Sequence, residues 1–296
     1  MRVLILGATG MLGKDFVTFF LNLPGFEVYA LSRSNVHTLP YQNVNLVFVD
    51  ATDKEGFAKS LRDIQPELIV HCAALTNIDA CEEQRDYALW LHGDIIKLIS
   101  REAPAAKFIY VSTDSVFDGT VGNYSEQDEP APVNYYAATK RNGETNTLSL
   151  MKDSIVLRTN IYGYHLFRQP SLSEWALDKL SRGETFTGFV DVYFNPVYTG
   201  QVTEITWQLL QKNYSGIVNV ASDLFISKYE FLKTLARTFG FEESLIHGRP
   251  FDAKMFSAPR ACNTTLNTSN LQRLIGYVPA LSTGMDAFFN EYQNQK

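Results

Sequence analysis

Tyr136 and Lys140, four positions apart in Asn134-Tyr135-Tyr136-Ala137-Ala138-Thr139-Lys140, are the pair in this sequence best suited to moving a proton. On a helix they share one face. An ammonium beside a phenol favours the phenolate and lowers its pKa from about 10. The tyrosine then becomes a usable proton donor to a carbonyl being reduced near neutral pH. The lysine can also bond a ribose hydroxyl. Thr113, in the Ser112-Thr113-Asp114 that closes an apolar strand, is placed to hold the substrate oxygen in line. The spacing alone is weak evidence, because Tyr229/Lys233 and Tyr292/Lys296 repeat it. The first of these repeats lies in an amphipathic helix with its lysine expected in solvent; the second lies at the C-terminal end. Only Tyr136/Lys140 follows a strand ending in Ser-Thr-Asp.

Such chemistry needs a hydride source, and the first thirteen residues, MRVLILGATGMLG, describe its seat. A short apolar strand that breaks into a glycine turn and opens a helix can hold a diphosphate. Gly7 allows the sharp turn, Gly10 lets the backbone approach phosphate oxygens, and Gly13 lets the helix lie close on the strand. About twenty residues past the last glycine, a second strand ends in Ser32-Arg33-Ser34. An acid there would bond the 2′-hydroxyl of NAD; a hydroxyl and a guanidinium suit a 2′-phosphate. We therefore expect NADP(H), with NAD(H) as the alternative if Arg33 is only a solvated loop residue. Asp50 is placed to accept from the adenine amino group. Ala73 and Ala74 are small enough to let a cofactor pass close to the backbone, or to pack tightly in the core.

The elements that must position these residues alternate strand and helix. Strands are expected at 2–6, 27–31, 46–49, 68–71, 107–111 and 154–157. Helices are expected at 14–23 and 54–64, with one long helix from 79 through 98. That alternation predicts an α/β fold with a doubly wound parallel sheet and ligands at the carboxyl ends of its strands. The loop Arg158–Gly163 puts Asn160 and Ile161 where nicotinamide and substrate should meet. A helix at 173–182 belongs to a smaller α/β substrate-binding lobe, while 197–212 reads as a helix and 217–221 as a strand returning to the sheet. The expected division is 1–162 plus about 196–221 for the dinucleotide-binding domain, and about 163–195 plus 222–296 for the lobe. Arg168, Arg249 and Arg260 are candidate diphosphate ligands, with a plain surface role as the alternative. Phe189, Tyr193 and Phe194 could stack on a base, although packing at the lobe interface is favoured.

Composition narrows the partners. The chain has 296 residues, 45% hydrophobic, with net charge −6, which gives a large core and argues against a nucleic-acid surface. Cys72, Cys81 and Cys262 are odd in number and read as free thiols in a reducing compartment. The five histidines show no metal spacing, so no metal is expected. No apolar run approaches membrane-spanning length, and the first is too short for a secretory core; a cytoplasmic protein is expected.

The sequence resembles the extended short-chain dehydrogenase/reductases, and among them the dTDP-4-dehydrorhamnose reductases. The resemblance runs nearly end to end, through GATGMLG, HCAALTNIDACE, STDSVFDG, PVNYYAATK, LRTNIYG, GIVNVAS and PRACNTTLNTSNL. It implies a Rossmann sheet with Thr113, Tyr136 and Lys140 as the catalytic set. Gly7, Thr9, Met11, Leu12, Ser32, Arg33, Asp50, Ala51, Ala73, Ala74 and Thr76 would line the cofactor. It further implies a nucleotide-sugar substrate carrying a 4-keto group, and leaves a homodimer open. Three departures stand out. His92 occupies the place of the family's usual asparagine. Ser115 follows Asp114 where related dehydratases carry glutamate for elimination chemistry. Phe189–Pro196 replaces a more polar stretch. Two other functions share these motifs: an NADP-binding regulatory subunit like that of methionine adenosyltransferase, and a nucleotide-sugar epimerase.

Overall fold

The computed structural model describes residues 1–33, 41, 43–165 and 170–294. Ser34 and Arg168 lie outside the described residues. The first half runs β1 (Arg2–Leu6), α1 (Met11–Leu21), β2 (Glu27–Ser32), β3 (Asn45–Phe48), α2 (Lys54–Ile64) and β4 (Leu68–His71). It continues through α3 (Ile78–Glu83), α4 (Arg85–Leu89), a π-helical turn at Trp90–Asp94, α5 (Ile95–Glu102), β5 (Lys107–Val111), α6 (Tyr135–Leu150) and β6 (Ser154–Thr159). The second half holds β7 (Ile161–Tyr162), α7 (Leu172–Ser181), β8 (Phe186–Phe189), β9 (Tyr193–Phe194), β10 (Val197–Tyr198), α8 (Thr199–Gln211) and β11 (Gly216–Val220). It ends with β12 (Ile226–Ser227), α9 (Lys228–Thr238), β13 (Ile246–Arg249), α10 (Ser269–Ile275) and α11 (Leu281–Asn294).

Seven strands form one sheet in the order β11-β6-β5-β4-β1-β2-β3, and every neighbouring pair is parallel. The apolar runs of β1, β4 and β6 suit strands covered on both faces. Alternate residues part company: Val3 and Ile5 join a core with Phe16, Phe20, Val202 and Leu209, while Leu4 and Leu6 join another with Phe57, Leu61, Ile95 and Phe108. The winding direction reverses between β1 and β4. Strand ends splay there, and a crevice opens.

A third core, built on Leu177, Phe231, Leu235 and Phe288, packs α7, α9 and α11 together. Around it lie the parallel pair β8–β13 and the antiparallel pair β9–β12. The last helix is also tied to the first: Lys14 is buried and pairs with Asp15 and Glu291, and the Tyr198 hydroxyl donates to Glu291 at 2.9 Å.

Three details differ from expectation. The long helix from 79 to 98 is broken. Gln84 leaves helical geometry (φ −111, ψ 52), and the backbone widens into the π turn before α5 starts. Residues 197–198 form a short strand beside β7 before the helix begins at Thr199. The chain after 222 does not stay in the smaller lobe, because Leu271 of α10 is buried in the core beneath β11.

Candidate active site

The glycine corner is built as tightly as its sequence demands. Gly7 sits at φ +80, where an added Cβ would meet the Ala73 nitrogen at 2.7 Å. A Cβ on Gly13 would meet the Gly7 carbonyl oxygen at 2.1 Å. Gly10 differs: its φ is −79, its Cβ would meet only the Gly7 oxygen, at 3.2 Å, and its far side faces the crevice. It caps α1 without a side chain, which leaves amides at that end for an anion.

The crevice holds about 650 Å³. Gly7, Gly10, Met11, Leu12 and Gly13 form its floor. Ala73, Ala74 and Thr76, in the loop after β4, form one wall. Thr113, Tyr136, Lys140, Asn160 and Ile161 line the other end. A second cavity of about 270 Å³ adjoins it, lined by Thr9, Ser32, Arg33 and Ala51. The Arg33 guanidinium is steadied there by a 2.8 Å bond to the Tyr87 hydroxyl. Asp50 lines neither cavity. Thr52 donates to its Oδ1 through amide and hydroxyl, at 2.9 and 2.8 Å, and these bonds hold the carboxyl below the usual range.

At the reacting end, Asn134 caps α6, accepting from the Ala137 amide at 2.9 Å. This starts the helix so that Tyr136 lies in its first turn. Surrounding protein pushes the phenol well above its ordinary range, opposed chiefly by a hydrogen bond with the Thr113 hydroxyl. Lys140 donates instead to the Val111 carbonyl at 2.6 Å and lies 4.1 Å from the centre of the Tyr110 ring. Burial lowers its ammonium to about 7. The expectation that Lys140 depresses the Tyr136 pKa is corrected: burial raises the phenol, and the influence that opposes burial is the hydrogen bond with Thr113.

Several site residues escaped the sequence reading. Glu144 and Arg158 lie sealed beneath Ser112, whose hydroxyl donates to Glu144 at 2.6 Å. An arginine directly after the apolar run 155–157 was the available signal. Asp114 is buried and accepts from Asn160 at 2.8 Å and Thr264 at 2.6 Å. Asp79 accepts from the Ser257 hydroxyl, the Ala258 amide and Arg260, all from a distant part of the sequence, at 2.6, 2.9 and 2.7 Å. Arg260 is thus engaged with a carboxylate. Arg249 lies 5.9 Å from the Phe189 ring centre, and Phe189 packs edge-on to Phe251 and Phe256. Phe194 is buried in the third core, and Tyr193 is exposed. Among the described residues, no group of three His, Cys, Asp or Glu could hold a metal, and no helix is long and apolar enough to cross a membrane.

A parallel seven-stranded sheet with a glycine corner at its switch point, and a Tyr-x-x-x-Lys helix facing that corner, define a Rossmann-like α/β protein of the extended short-chain dehydrogenase/reductase type. The match to the family described as RmlD substrate binding domain spans residues 1–294, and the chain belongs to that family. It is 30% identical to a probable low-salt glycan biosynthesis reductase of Haloferax volcanii, across 99% of this chain and 100% of the relative. It is 31% identical to the methionine adenosyltransferase 2 subunit beta of Mus musculus, across 96% of this chain and 86% of that protein. Its fold matches a dTDP-4-dehydrorhamnose reductase of Bacillus anthracis solved in complex with NADP, at TM-score 0.80 and 24% identity, covering 98% and 99% of the two chains.

Proposed function

We propose that the protein is an NADPH-dependent reductase of a 4-keto nucleotide-sugar. One observation carries this reading: Thr113, Tyr136 and Lys140 line the same crevice as the glycine corner. The fit of a dinucleotide rests on the bare Gly10 edge, the uncapped start of α1 and the adjoining cavity at Ser32 and Arg33. Gly7, Gly10 and Gly13 would hold the diphosphate, and Arg33 a 2′-phosphate. When bound, the nicotinamide supplies the hydride. Tyr136 gives its proton to the new alkoxide, and Thr113 orients that oxygen. The raised phenol pKa keeps the proton on Tyr136 until the alkoxide forms. Lys140, within reach of the same end, would bond the nicotinamide ribose. The reading places a soluble enzyme in the cytoplasm, with a homodimer as the assembly to examine.

The test is to follow NADPH loss with dTDP-4-dehydrorhamnose and related 4-keto sugars. Loss is expected, and loss that persists unchanged in Tyr136→Phe contradicts the reading. The likeness to the methionine adenosyltransferase beta subunit supports a second reading, an NADP-binding regulatory partner. That reading gains if the protein binds NADPH, reduces no keto sugar, and alters the activity of a methionine adenosyltransferase catalytic subunit. An epimerase would keep its cofactor through purification and turn over without added NADPH.

A further inference from the structure

His92 is fully buried and takes no part in the chemistry above, yet both ring nitrogens are spoken for. The Leu75 amide donates to Nε2 at 2.9 Å. A backbone amide only donates, so Nε2 carries no proton. On the other side, Nδ1 lies 2.8 Å from the Thr139 hydroxyl. Thr139 gives its single proton to the Tyr136 carbonyl, at 2.8 Å. Its oxygen must then accept from Nδ1–H. The chain of donors runs one way: Leu75 amide to His92, His92 to Thr139, Thr139 to the Tyr136 backbone.

The backbone at His92 is shaped for this duty. It lies in the π turn, whose widened ladder frees carbonyls. The His92 carbonyl accepts from the Tyr110 hydroxyl at 2.7 Å, and the Gly93 carbonyl accepts from Asn146 at 3.1 Å. The imidazole also meets the Tyr136 ring edge-on, with centres 5.6 Å apart. Burial first, and then the neighbouring Lys140 ammonium, favours the neutral ring. Leu75 stands in the loop 73–76 and lines the same crevice as Tyr136.

We propose that His92 is a positioning residue, a neutral imidazole protonated on Nδ1 that sets the first turn of α6 in register with the loop after β4. It rests on the reductase reading for its consequence: it fixes the distance from the Tyr136 hydroxyl to whatever lies along that loop. Misplacement of a proton donor by about 1 Å costs on the order of 100-fold in rate. The asparagine expected at this place also offers a donor and an acceptor, but on a shorter stem; the π turn and Thr139 are what this chain supplies around the longer ring.

The test begins with the wild-type protein, labelled with nitrogen-15 in its histidines. The His92 ring should show a bare Nε2 and a protonated Nδ1, unchanged through the neutral pH range. A proton on Nε2, or an imidazolium, overturns the proposal. This spectrum needs no substrate, so a protein that shows it but reduces no keto sugar overturns the reductase reading and leaves the tautomer assignment standing. Kinetics then test the consequence. His92→Phe and Thr139→Val should each lower kcat by about 10- to 100-fold with little change in KM for the keto sugar. Thr139→Ser should restore kcat, and the double variant should be no slower than the slower single. Additive losses, or a Thr139→Ser as slow as Thr139→Val, overturn the proposal.

Discussion

The Glu144 carboxylate and the Arg158 guanidinium meet in two parallel hydrogen bonds, Nε to Oε1 at 2.9 Å and Nη2 to Oε2 at 2.8 Å. Both side chains are sealed from solvent. The pair joins α6, which carries Tyr136, to β6, which leads into Asn160. The Ser112 hydroxyl, from the residue that follows β5, adds to the same carboxylate. Removing one partner strands a buried charge, so Glu144→Gln should destabilise the fold by about 3–5 kcal/mol. Replacing both by leucine should cost less than either single loss. Urea unfolding of Glu144→Gln, Arg158→Leu and the double variant checks this, and equal or greater loss in the double variant contradicts it.

Tyr136→Phe keeps the ring against His92 and removes only the proton donor. We expect kcat to fall by about 100- to 10,000-fold, with NADPH binding unchanged by fluorescence titration. A parallel fall in NADPH affinity would instead make Tyr136 a cofactor-binding residue first.

Arg33→Ala should weaken NADPH more than NADH. One charge-assisted bond to a phosphate is worth about 1.5–3 kcal/mol, which is roughly 10- to 100-fold in the ratio of Michaelis constants. Equal use of the two cofactors by the wild-type protein would remove the role assigned to Arg33.

Two glycines of the corner, Gly13 and Gly10, should separate fold from binding. Gly13→Ala drives a Cβ to within 2.1 Å of the Gly7 oxygen, and such overpacking costs about 1–3 kcal/mol. Gly10→Ala meets that oxygen only at 3.2 Å and should melt near the wild-type temperature while losing most NADPH affinity. A Gly10→Ala protein that binds NADPH normally would put the diphosphate elsewhere.

Lys140 gives a pH signature. Its folded value, about 7, lies below the ordinary 10.5 because burial disfavours the ammonium. Below about 7 both folded and unfolded chains carry the proton, and the full cost of burying it is present. Between about 7 and 10.5 the folded chain sheds the proton while the unfolded chain keeps it, so stability from this group rises with pH. The stability difference between Lys140→Met and wild type should therefore favour the variant most below neutrality and shrink as pH rises to 10. A difference independent of pH would show that Lys140 stays charged.

Legibility followed sequence distance. The α2 and β4 boundaries could be read at Lys54–Ile64 and Leu68–His71 because periodicity, caps and Pro66 act locally. The break at Gln84 could not, since helical periodicity continues through it; the carbonyls that the π turn frees are taken by Tyr110 and Asn146, which lie far off in the sequence. Likewise Leu271 returns to the sheet through packing alone. In the site, the Tyr136/Lys140 spacing is local and was legible. The direction of the Tyr136 shift was not, because desolvation depends on everything around it. Asp79 and Arg260 are 181 positions apart, and nothing near either residue announces the other.

The cluster of Lys14, Asp15 and Glu291 couples the tail of the polypeptide to its front. Lys14 follows Gly13 directly, so clipping the last helix before Glu291 would leave an ammonium without its distant counter-ion beside the nucleotide corner. Shortened versions of this protein should therefore show their injury in cofactor affinity, far from the cut itself.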